Sequence, residues 1–436
     1  MRDSKTEQSS HGKLGFVAVW ALAVGGMVGG GIYTALGVVV AVAAQWTWLS
    51  FILAGVVALT AAYSYAFLAN KFKQGGGAFE FLREIHREGI AGSLSWMLII
   101  GYVLTMSVYA YAFGHYVAFA FGAGPWVTRG LAIAIMTALV GLNLMGTGKT
   151  SSVEIVIVAG NLIILIGLGV LGLIQWDPVQ LVAGVEPRPI WGAGIGAASI
   201  FMSYEGFQLL TYEYDEIQQP QKILKPALLS AVLFVIVVYA AVSVGATMLA
   251  GALAIVDQKQ VALSVAAEVV AGRLGVIVMT IAAGFATAAA INSTLFSTAK
   301  LSLQVAADGE LPRWFKHRNS QDIPDRAVIS LGALAALLAV TGSLSTLVEA
   351  ASLVFLFTFG TVNWIATQHL PSNRWIAWLG VVLAAAIALV LMLRLAILAP
   401  MTLLLLAGFA VVAMVGRPMI LQRLQTDGQT DGQTDG

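Results

Sequence analysis

The sequence contains no cysteine and very little charge. Without cysteine, its 436 residues can form no disulfide, no thiolate nucleophile and no Cys-ligated metal site. Charged residues occupy only 10% of the positions, compared with about a quarter in soluble domains. The five histidines lack the spacing of metal ligands, and the net charge of +1 does not indicate a nucleic-acid partner. We therefore expect no metal, no cofactor and no bound nucleic acid.

The apolar residues that fill the rest of the chain are arranged in long runs. Hydrophobic residues make up 59% of the sequence, and runs of about 20 residues, enough to cross a hydrocarbon core of about 30 Å, recur along it. This pattern predicts an all-α membrane protein with about twelve transmembrane helices. The predicted spans are residues 14–44, 46–70, 91–122, 126–144, 153–176, 191–212, 226–252, 274–306, 327–340, 344–367, 375–398 and 401–415.

The distribution of Lys and Arg predicts how the chain is threaded. With the amino terminus inside, roughly 18 of these residues fall on the cytoplasmic face and about five on the other, as the positive-inside rule requires. The residues on the other face are Arg129, Arg188, Lys259, Arg273 and Arg394. We therefore predict a multi-pass protein of the inner or plasma membrane with both termini cytoplasmic. The polar tail 425–436 repeats a Gln-Thr-Asp-Gly unit and is predicted to be disordered.

Glycines cluster in the middle of the first span. Five of them lie between Gly25 and Gly31. Glycine weakens a helix by about 1 kcal/mol per position relative to alanine, and it lets a ligand approach the main chain. Close helix packing is the alternative explanation, since small residues often line contacts between membrane helices. Three consecutive glycines favour a local unwinding of the helix.

A carboxylate lies inside the sixth span. The segment Phe201-Met202-Ser203-Tyr204-Glu205-Gly206-Phe207 places Glu205 within an apolar run, where an ionisable group is costly and usually functional. The alternative is an interfacial position, since Glu213, Asp215 and Glu216 follow closely. Glu205 beside Gly206 favours a second break. Breaks in the first and sixth spans occupy corresponding positions of two five-span halves, which is typical of inverted-repeat transporters, and such a site suits a zwitterion.

Several short motifs then suggest a family. The segments are Gly29-Gly30-Gly31-Ile32-Tyr33, Gly75-Gly76-Gly77-Ala78-Phe79, Phe201 to Phe207, Asp215-Glu216-Ile217-Gln218-Gln219-Pro220, and Asn292 through Ala307-Asp308-Gly309-Glu310-Leu311-Pro312. In this order they resemble signatures of the amino acid, polyamine and organocation transporter superfamily, especially its prokaryotic proton-coupled amino acid permeases. The resemblance covers about residues 14–367.

This resemblance implies a fold and a division of the chain. The fold would be a leucine-transporter-type inverted repeat of five plus five helices with two accessory helices. The expected parts are a cytoplasmic amino terminus (1–13), a first five-helix repeat (14–176), a second repeat (191–370), two accessory helices (374–416) and a disordered cytoplasmic tail (417–436).

The resemblance also implies roles for the residues at the two breaks. N–H groups around Gly29, Gly30 and Gly31 would hold a substrate carboxylate, and carbonyls near Phe201, Met202 and Tyr204 would hold its ammonium group. Ser203, Glu205 and Gly206 would complete the substrate site. The gating candidates are Tyr33 and Phe207, and the coupling candidates are Glu205, Asn161 and Asn292.

Departures from the family pattern leave the coupling ion open. Proton-coupled relatives carry a Lys seven residues after an acidic residue of the fifth span, but counting from Glu154 gives Asn161, which cannot titrate. Glu205 could replace that Lys as the proton carrier, because burial raises the pKa of a carboxyl group. Sodium lacks support, because the eighth span reads Ala286-Thr287-Ala288-Ala289-Ala290 where paired hydroxyls would be useful ligands. Gly101 stands where cation-selective relatives have a Glu, which favours a neutral amino acid.

The sequence therefore predicts a secondary active transporter of amino acids that works by alternating access. An ion-independent exchanger of amino acids or polyamines is the alternative within transporters. A membrane-embedded enzyme would need clustered Asp, His or metal ligands, and a channel would need a polar, symmetric pore. Neither pattern is present. Glu349, at the start of the tenth span, has two interpretations: an outer gating residue, or a carboxylate that stabilises its helix dipole.

Overall fold

The computed structural model describes residues 13–85, 88–146 and 151–416. Within these residues the chain is helical and forms no strand, apart from one isolated bridge between Leu14 and Ile217. Helices are expected, because lipid cannot satisfy free backbone N–H and C=O groups and a helix satisfies them internally. The disordered tail predicted from the sequence lies outside the described residues.

Fifteen α-helices follow one another along the described chain. Proline opens α6, α9 and α15, where its missing N–H costs nothing. The helices are α1 Phe16–Val28, α2 Gly31–Ala43, α3 Thr47–Phe72, α4 Gly77–Glu84, α5 Glu88–Phe121, α6 Pro125–Leu144, α7 Ser151–Ile174, α8 Gly192–Ser199, α9 Pro220–Ala250, α10 Ala252–Asp257, α11 Ala262–Ala307, α12 Asp325–Thr341, α13 Leu344–His369, α14 Arg374–Leu398 and α15 Pro400–Val411.

These helices account for the twelve predicted spans. Eight helical stretches of the described chain are long and apolar enough to cross a membrane, and one of them, Phe16–Phe72, contains the first two spans. The remaining three spans are α12, α15 and the sixth, which α8 begins and short 3₁₀ turns continue. The all-α, multi-span prediction is thus confirmed.

The eighth span differs from its prediction. The sequence predicts residues 274–306, whereas α11 begins at Ala262 and has a kink at Ala271 and Gly272. Gly272 has φ of +55°, which a glycine adopts without steric cost, so the helix can turn there and continue. The short helix α4, directly after Gly75-Gly76-Gly77, was also not predicted.

Contacts between loops define two ends of the bundle. At one end the amide of Leu14 donates to the Glu216 carbonyl, and the amide of Gln218 donates to the Leu14 carbonyl, both at 2.8 Å. At the other end the indole of Trp46 donates to the Arg188 carbonyl at 2.8 Å. We call these the amino-terminal end and the opposite end. In each case an even number of predicted spans lies between the two contacting segments, as it must if both segments are at the same end of the bundle.

The broken first span lies at the centre of the bundle. In the most apolar window of Phe16–Phe72, 89% of the residues are buried within the protein. In the corresponding windows of α6 and α14 only 22% are buried, so most of their apolar side chains face outward, where a bilayer would cover them. The two breaks are therefore shielded from lipid by surrounding helices, as irregular backbone at membrane depth requires.

Candidate functional site

The first span breaks at Gly29 and Gly30. The amide of Gly29 closes α1 by donating to the Gly25 carbonyl at 2.7 Å. Gly30 then leaves helical geometry, with φ of −143° and ψ of −14°, and α2 begins at Gly31. Because the first N–H groups of a helix have no acceptor within it, the start of α2 presents donors to the middle of the bundle. The predicted unwinding is confirmed and is two residues long.

The sixth span breaks over a longer stretch. Helix α8 ends at Ser199, and a 3₁₀ turn over Phe201–Tyr204 follows. Glu205 is extended, and Gly206 has φ of +121°, which an L-residue rarely adopts. A second 3₁₀ turn, Phe207–Thr211, continues toward the amino-terminal end. The break predicted at Glu205 and Gly206 is confirmed.

The two breaks touch one another through their main chains. A Cβ added to Gly26 would lie 3.0 Å from the Gly206 Cα atom, and one added to Gly206 would lie 2.4 Å from the Gly26 carbonyl carbon, so a side chain at Gly206 would displace this approach. The hydroxyl of Tyr239, on α9, reaches the Met27 carbonyl at 2.7 Å and the Ser203 carbonyl at 3.1 Å. One buried side chain therefore links α1 to the 3₁₀ turn of the sixth span.

Each glycine of the first-span cluster also packs closely against another helix. A Cβ on Gly29 would meet Ala290 of α11, and one on Gly30 would overlap the ring of Tyr109 of α5. A Cβ on Gly31 would overlap the Ser203 carbonyl. The two interpretations of this cluster, unwinding and close packing, are thus both correct.

The side chains of the sixth-span break mostly anchor it to its neighbours. The hydroxyl of Tyr204 donates to the Phe51 carbonyl on α3 at 2.7 Å. Ser203 Oγ donates back to the Ile200 carbonyl at 2.7 Å. The backbone amide of Glu205 donates a hydrogen bond to the Met202 carbonyl at 2.9 Å.

Aromatic contacts and a serine hold the same break against α13. The rings of Phe201 and Phe207 both pack edge-on against Phe359, with centroids 5.5 and 5.4 Å apart. Ser352 Oγ accepts a hydrogen bond from the Met202 amide at 3.0 Å and reaches the Ser199 carbonyl at 3.1 Å. Phe207, predicted as a gate, is fully buried here.

Glu205 lies in a buried polar cluster. Its Oε1 atom accepts a hydrogen bond from Gln208 Nε2 at 3.0 Å, and Gln208 Oε1 accepts one from the Gly206 amide at 2.9 Å. Glu205 is 1% exposed, so its side chain is enclosed by protein and does not face solvent. Within the described residues, the hydroxyls of Tyr65 and Tyr109 are buried without a hydrogen-bond partner.

Tyr33, predicted as a gating residue, and Asn161, predicted as a coupling residue, are in contact. The hydroxyl of Tyr33, on α2, donates to the side-chain oxygen of Asn161, on α7. Tyr33 also packs edge-on against Tyr116, with ring centroids 5.6 Å apart. Asn292 is placed elsewhere, because its side-chain oxygen accepts a hydrogen bond from Asn143 of α6 at 2.8 Å. Asn292 therefore faces a different helix from Ala290, which contacts Gly29.

A small cavity lies between the breaks and the amino-terminal end. It is lined by Gly25 and Gly26 of the first span, Gly206 of the sixth, and the acidic residues Glu154 and Glu213. The space open to water is about 40 Å³, which is enough for a few water molecules. Within the described chain, no group of three His, Asp or Glu residues could hold a metal ion.

Glu349 pairs with an accessory helix. Its Oε1 atom accepts hydrogen bonds from Arg394 Nε of α14 at 2.8 Å and from Ser199 Oγ at 3.0 Å. Glu349 is 4% exposed. Sequence reasoning missed this pair, as it missed Tyr239 and Ser352. Tyr239 and Ser352 could have been recognised as hydroxyl side chains in the middle of apolar runs, because a buried hydroxyl needs a hydrogen-bond partner.

The chain matches a known protein family. A family model described as amino acid permease matches residues 14–426. The chain belongs to the amino acid permease family. This is a family of membrane transporters, as the sequence predicts, and it lies within the superfamily that the motifs resemble.

Individual relatives are moderately similar. An uncharacterised protein of Methanocaldococcus jannaschii is 30% identical over 311 residues, covering 70% of this chain and 71% of the relative. The inner membrane transport protein YbaT of Escherichia coli is 26% identical over 314 residues, covering 71% and 73%. The vacuolar cationic amino acid transporter 4 of Arabidopsis thaliana is 27% identical over 376 residues, covering 80% of this chain and 62% of that protein.

A solved structure shares the fold. The crystal structure of MhsT in complex with L-phenylalanine superposes with a TM-score of 0.60 over 90% of this chain and 98% of that chain, at 16% sequence identity. The predicted leucine-transporter-type arrangement, with breaks in the first and sixth spans and two accessory helices, is confirmed at the level of the fold.

Proposed function

We propose that this permease carries amino acids by alternating access, with the substrate bound at the breaks of the first and sixth spans. The observation on which this depends is that both breaks lie at the centre of the bundle and touch through Gly26 and Gly206. Helix ends and freed peptide groups at such a place suit a molecule with one positive and one negative group. The family match supports amino acids as the solute class.

The two breaks offer opposite charges to that solute. N–H groups at Gly30 and Gly31 would hold the carboxylate, beside Gly29. On the other side the Met202 carbonyl is already occupied by the Glu205 amide. The Tyr204 carbonyl, which ends its 3₁₀ turn, is the better candidate for the ammonium group.

Space for the substrate would come from side chains that move. The ring of Tyr109 lies against Gly30, and its hydroxyl has no partner among the described residues. Rotation of this ring would expose the N–H groups of the first-span break and let the hydroxyl bond to the substrate. Tyr33 and Phe207 stay the gating candidates on either side of the breaks.

Uptake into proteoliposomes tests the proposal. Purified protein should accumulate a labelled neutral amino acid, and an excess of the same unlabelled amino acid should compete. Glu205→Gln keeps the size of the side chain and is expected to weaken binding, measured by the thermal shift on adding substrate. Uptake and binding by Glu205→Gln equal to those of the parent would contradict the site assignment.

The coupling mechanism rests on Glu205 and Asn161. Asn161 is neutral and its side-chain oxygen accepts from Tyr33, so we propose that it links α2 to α7 without carrying a proton. Asn292 faces α6 and is the weakest coupling candidate. Glu205, buried between the breaks, is the proposed proton carrier if transport is proton-coupled. Uptake with and without a pH gradient, compared with exchange against unlabelled amino acid inside, distinguishes symport from ion-independent exchange.

We also propose that both termini are cytoplasmic and that the protein resides in the plasma or inner membrane. On this orientation the amino-terminal end is the inner end and the opposite end is the outer end. The absence of cysteine makes the test direct: single cysteines at Gln180 and at Gln321 can be labelled with an impermeant maleimide on intact cells. Labelling is expected at position 180 and not at 321.

The division of the chain proposed from the sequence follows the same scheme. The first repeat (14–176) would contain the spans from α1 to α7, and the second repeat (191–370) those from α8 to α13. Residues 374–416 would supply the accessory helices α14 and α15. Residues 1–13 and 417–436 would flank these parts on the inner side.

A further inference from the structure

A second cavity lies at the outer end of the bundle and carries concentrated positive charge. Its volume is about 470 Å³. Three basic side chains line it: Arg188 before α8, Lys259 after α10, and Arg394 on α14. No Asp or Glu is among its lining residues in the described chain.

The charges of this cavity are only partly compensated. Arg394 uses its Nε atom to pair with Glu349 at 2.8 Å, while Lys259 Nζ reaches only the Ser345 hydroxyl, at 3.5 Å. Among the lining residues and their ion-pair partners in the described chain, Glu349 is thus one negative charge against three positive ones. An anion entering the cavity would meet a net attraction, which is stronger where low-dielectric walls concentrate the field.

The position of these residues is unusual for an outer face. Roughly five Lys and Arg residues fall on that face of the whole chain, and three of them line this cavity. Most of the few basic residues predicted for this face therefore share one cavity. Arg129 and Arg273 are the two that lie elsewhere.

The cavity adjoins the outer halves of both broken spans. Val38 of α2 and Ile195 of α8 are lining residues; α2 begins after the break at Gly30, and α8 leads to the 3₁₀ turn that precedes the break at Glu205 and Gly206. A Cβ added to Gly37 of α2 would overlap the main chain of Lys259, so α2 holds the Lys259 segment in place. A solute that entered between the outer halves of α2 and α8 would pass these charges.

We propose that this outer cavity binds the side-chain carboxylate of incoming acidic amino acids and so extends the substrate range beyond neutral amino acids. The inference rests on the proposed transport function and adds a selectivity to it. Zwitterions are admitted, acidic amino acids are concentrated before they reach the breaks, and cationic amino acids are repelled. The Arabidopsis relative is named for cationic amino acids, so its preference would differ from that of this chain.

The test removes the two charges of the cavity that form no ion pair with the residues that the structure describes. The variant is Arg188→Gln with Lys259→Gln, and the matched control is Arg129→Gln with Arg273→Gln, two outer residues outside this cavity. Initial uptake of L-glutamate, L-leucine and L-lysine is measured at low and at high salt. For L-glutamate we expect the KM of the variant to rise by about 10-fold, as for loss of charge complementarity at an entry site.

The other solutes distinguish a charge effect from a general defect. L-leucine uptake should change by less than about twofold in the variant, because a zwitterion carries no net charge. High salt should lower L-glutamate uptake in the parent and have little effect in the variant, because salt screens exposed charges. Equal loss of L-glutamate and L-leucine uptake in the variant, or an unchanged KM for L-glutamate, overturns the proposal.

A binding measurement separates this inference from the transport proposal. Glutarate has two carboxylates and no amine, so it suits the outer cavity and not the zwitterion site. Calorimetric titration of purified protein should show glutarate binding to the parent and the control, and at least about 10-fold weaker binding to the variant. If no amino acid is transported but glutarate binds in this way, transport fails and the cavity assignment stands. No glutarate binding, or equal binding of sulfate, overturns the carboxylate assignment.

Discussion

Replacing Gly206 by alanine should disable the contact between the two breaks. Gly206 has φ of +121°, and holding an L-residue in such a region costs about 1–3 kcal/mol. The new Cβ would also lie 2.7 Å from the Gly26 Cα atom, and overpacking of this kind costs about 1–3 kcal/mol. Because the obstacle is main chain on both sides, no rotamer change relieves it.

The two costs together disfavour this arrangement by about 2–6 kcal/mol. The lower limit already shifts an equilibrium by roughly 30-fold, and the upper limit approaches the whole stability of many proteins. We therefore expect Gly206→Ala to lower the thermal unfolding midpoint in detergent by several degrees and to reduce amino acid uptake to background.

The matched control is Gly194→Ala in α8 of the same span. Gly194 is helical and has no heavy atom within 4 Å of its added Cβ, so alanine there should be neutral or stabilise by up to about 1 kcal/mol. Both variants are compared in the same proteoliposome preparation. If Gly206→Ala matches Gly194→Ala in unfolding midpoint and uptake, the close approach of the two breaks is not needed.

Three further substitutions test other contacts. Tyr239→Phe removes the hydroxyl that reaches both breaks and should destabilise by about 1–3 kcal/mol through unpaired buried carbonyls, seen as a lower unfolding midpoint and slower uptake. Arg394→Gln leaves Glu349 buried without its ion pair and should lower the free energy of unfolding by about 3–5 kcal/mol. The double variant with Glu349→Gln should recover much of the lost thermal unfolding midpoint, because no unpaired buried charge is left. Asn161→Leu removes the acceptor of Tyr33 and should slow uptake while leaving its response to a pH gradient unchanged; a lost pH response would make Asn161 part of the coupling.

The breaks could be predicted because their causes are local. Glycine at Gly29 and Gly30 weakens a helix wherever it lies, and a carboxylate at Glu205 is costly at membrane depth whatever surrounds it. The apolar runs predicted the spans for the same reason, since a bilayer imposes one length on each. Local chemistry was sufficient for these features.

The partners of those residues could not be predicted, because they come from distant parts of the chain. Tyr239 lies 212 positions from Met27, whose carbonyl it reaches, and nothing near either residue specifies the other. Asn292 shows the same limit, since a family motif suggested a coupling role but could not show that its side-chain oxygen accepts a hydrogen bond from Asn143 of α6. Which face of a helix meets which neighbour depends on packing across the whole bundle.

The pairing of Leu14 with Glu216 and Gln218 joins the beginning of the described chain to the loop that follows the sixth span. Both hydrogen bonds join main-chain atoms, so substitutions of the side chains at these positions would leave the two bonds in place. A force applied to the amino terminus, by a fused tag or a docked protein, would therefore pull directly on the segment that follows Glu205.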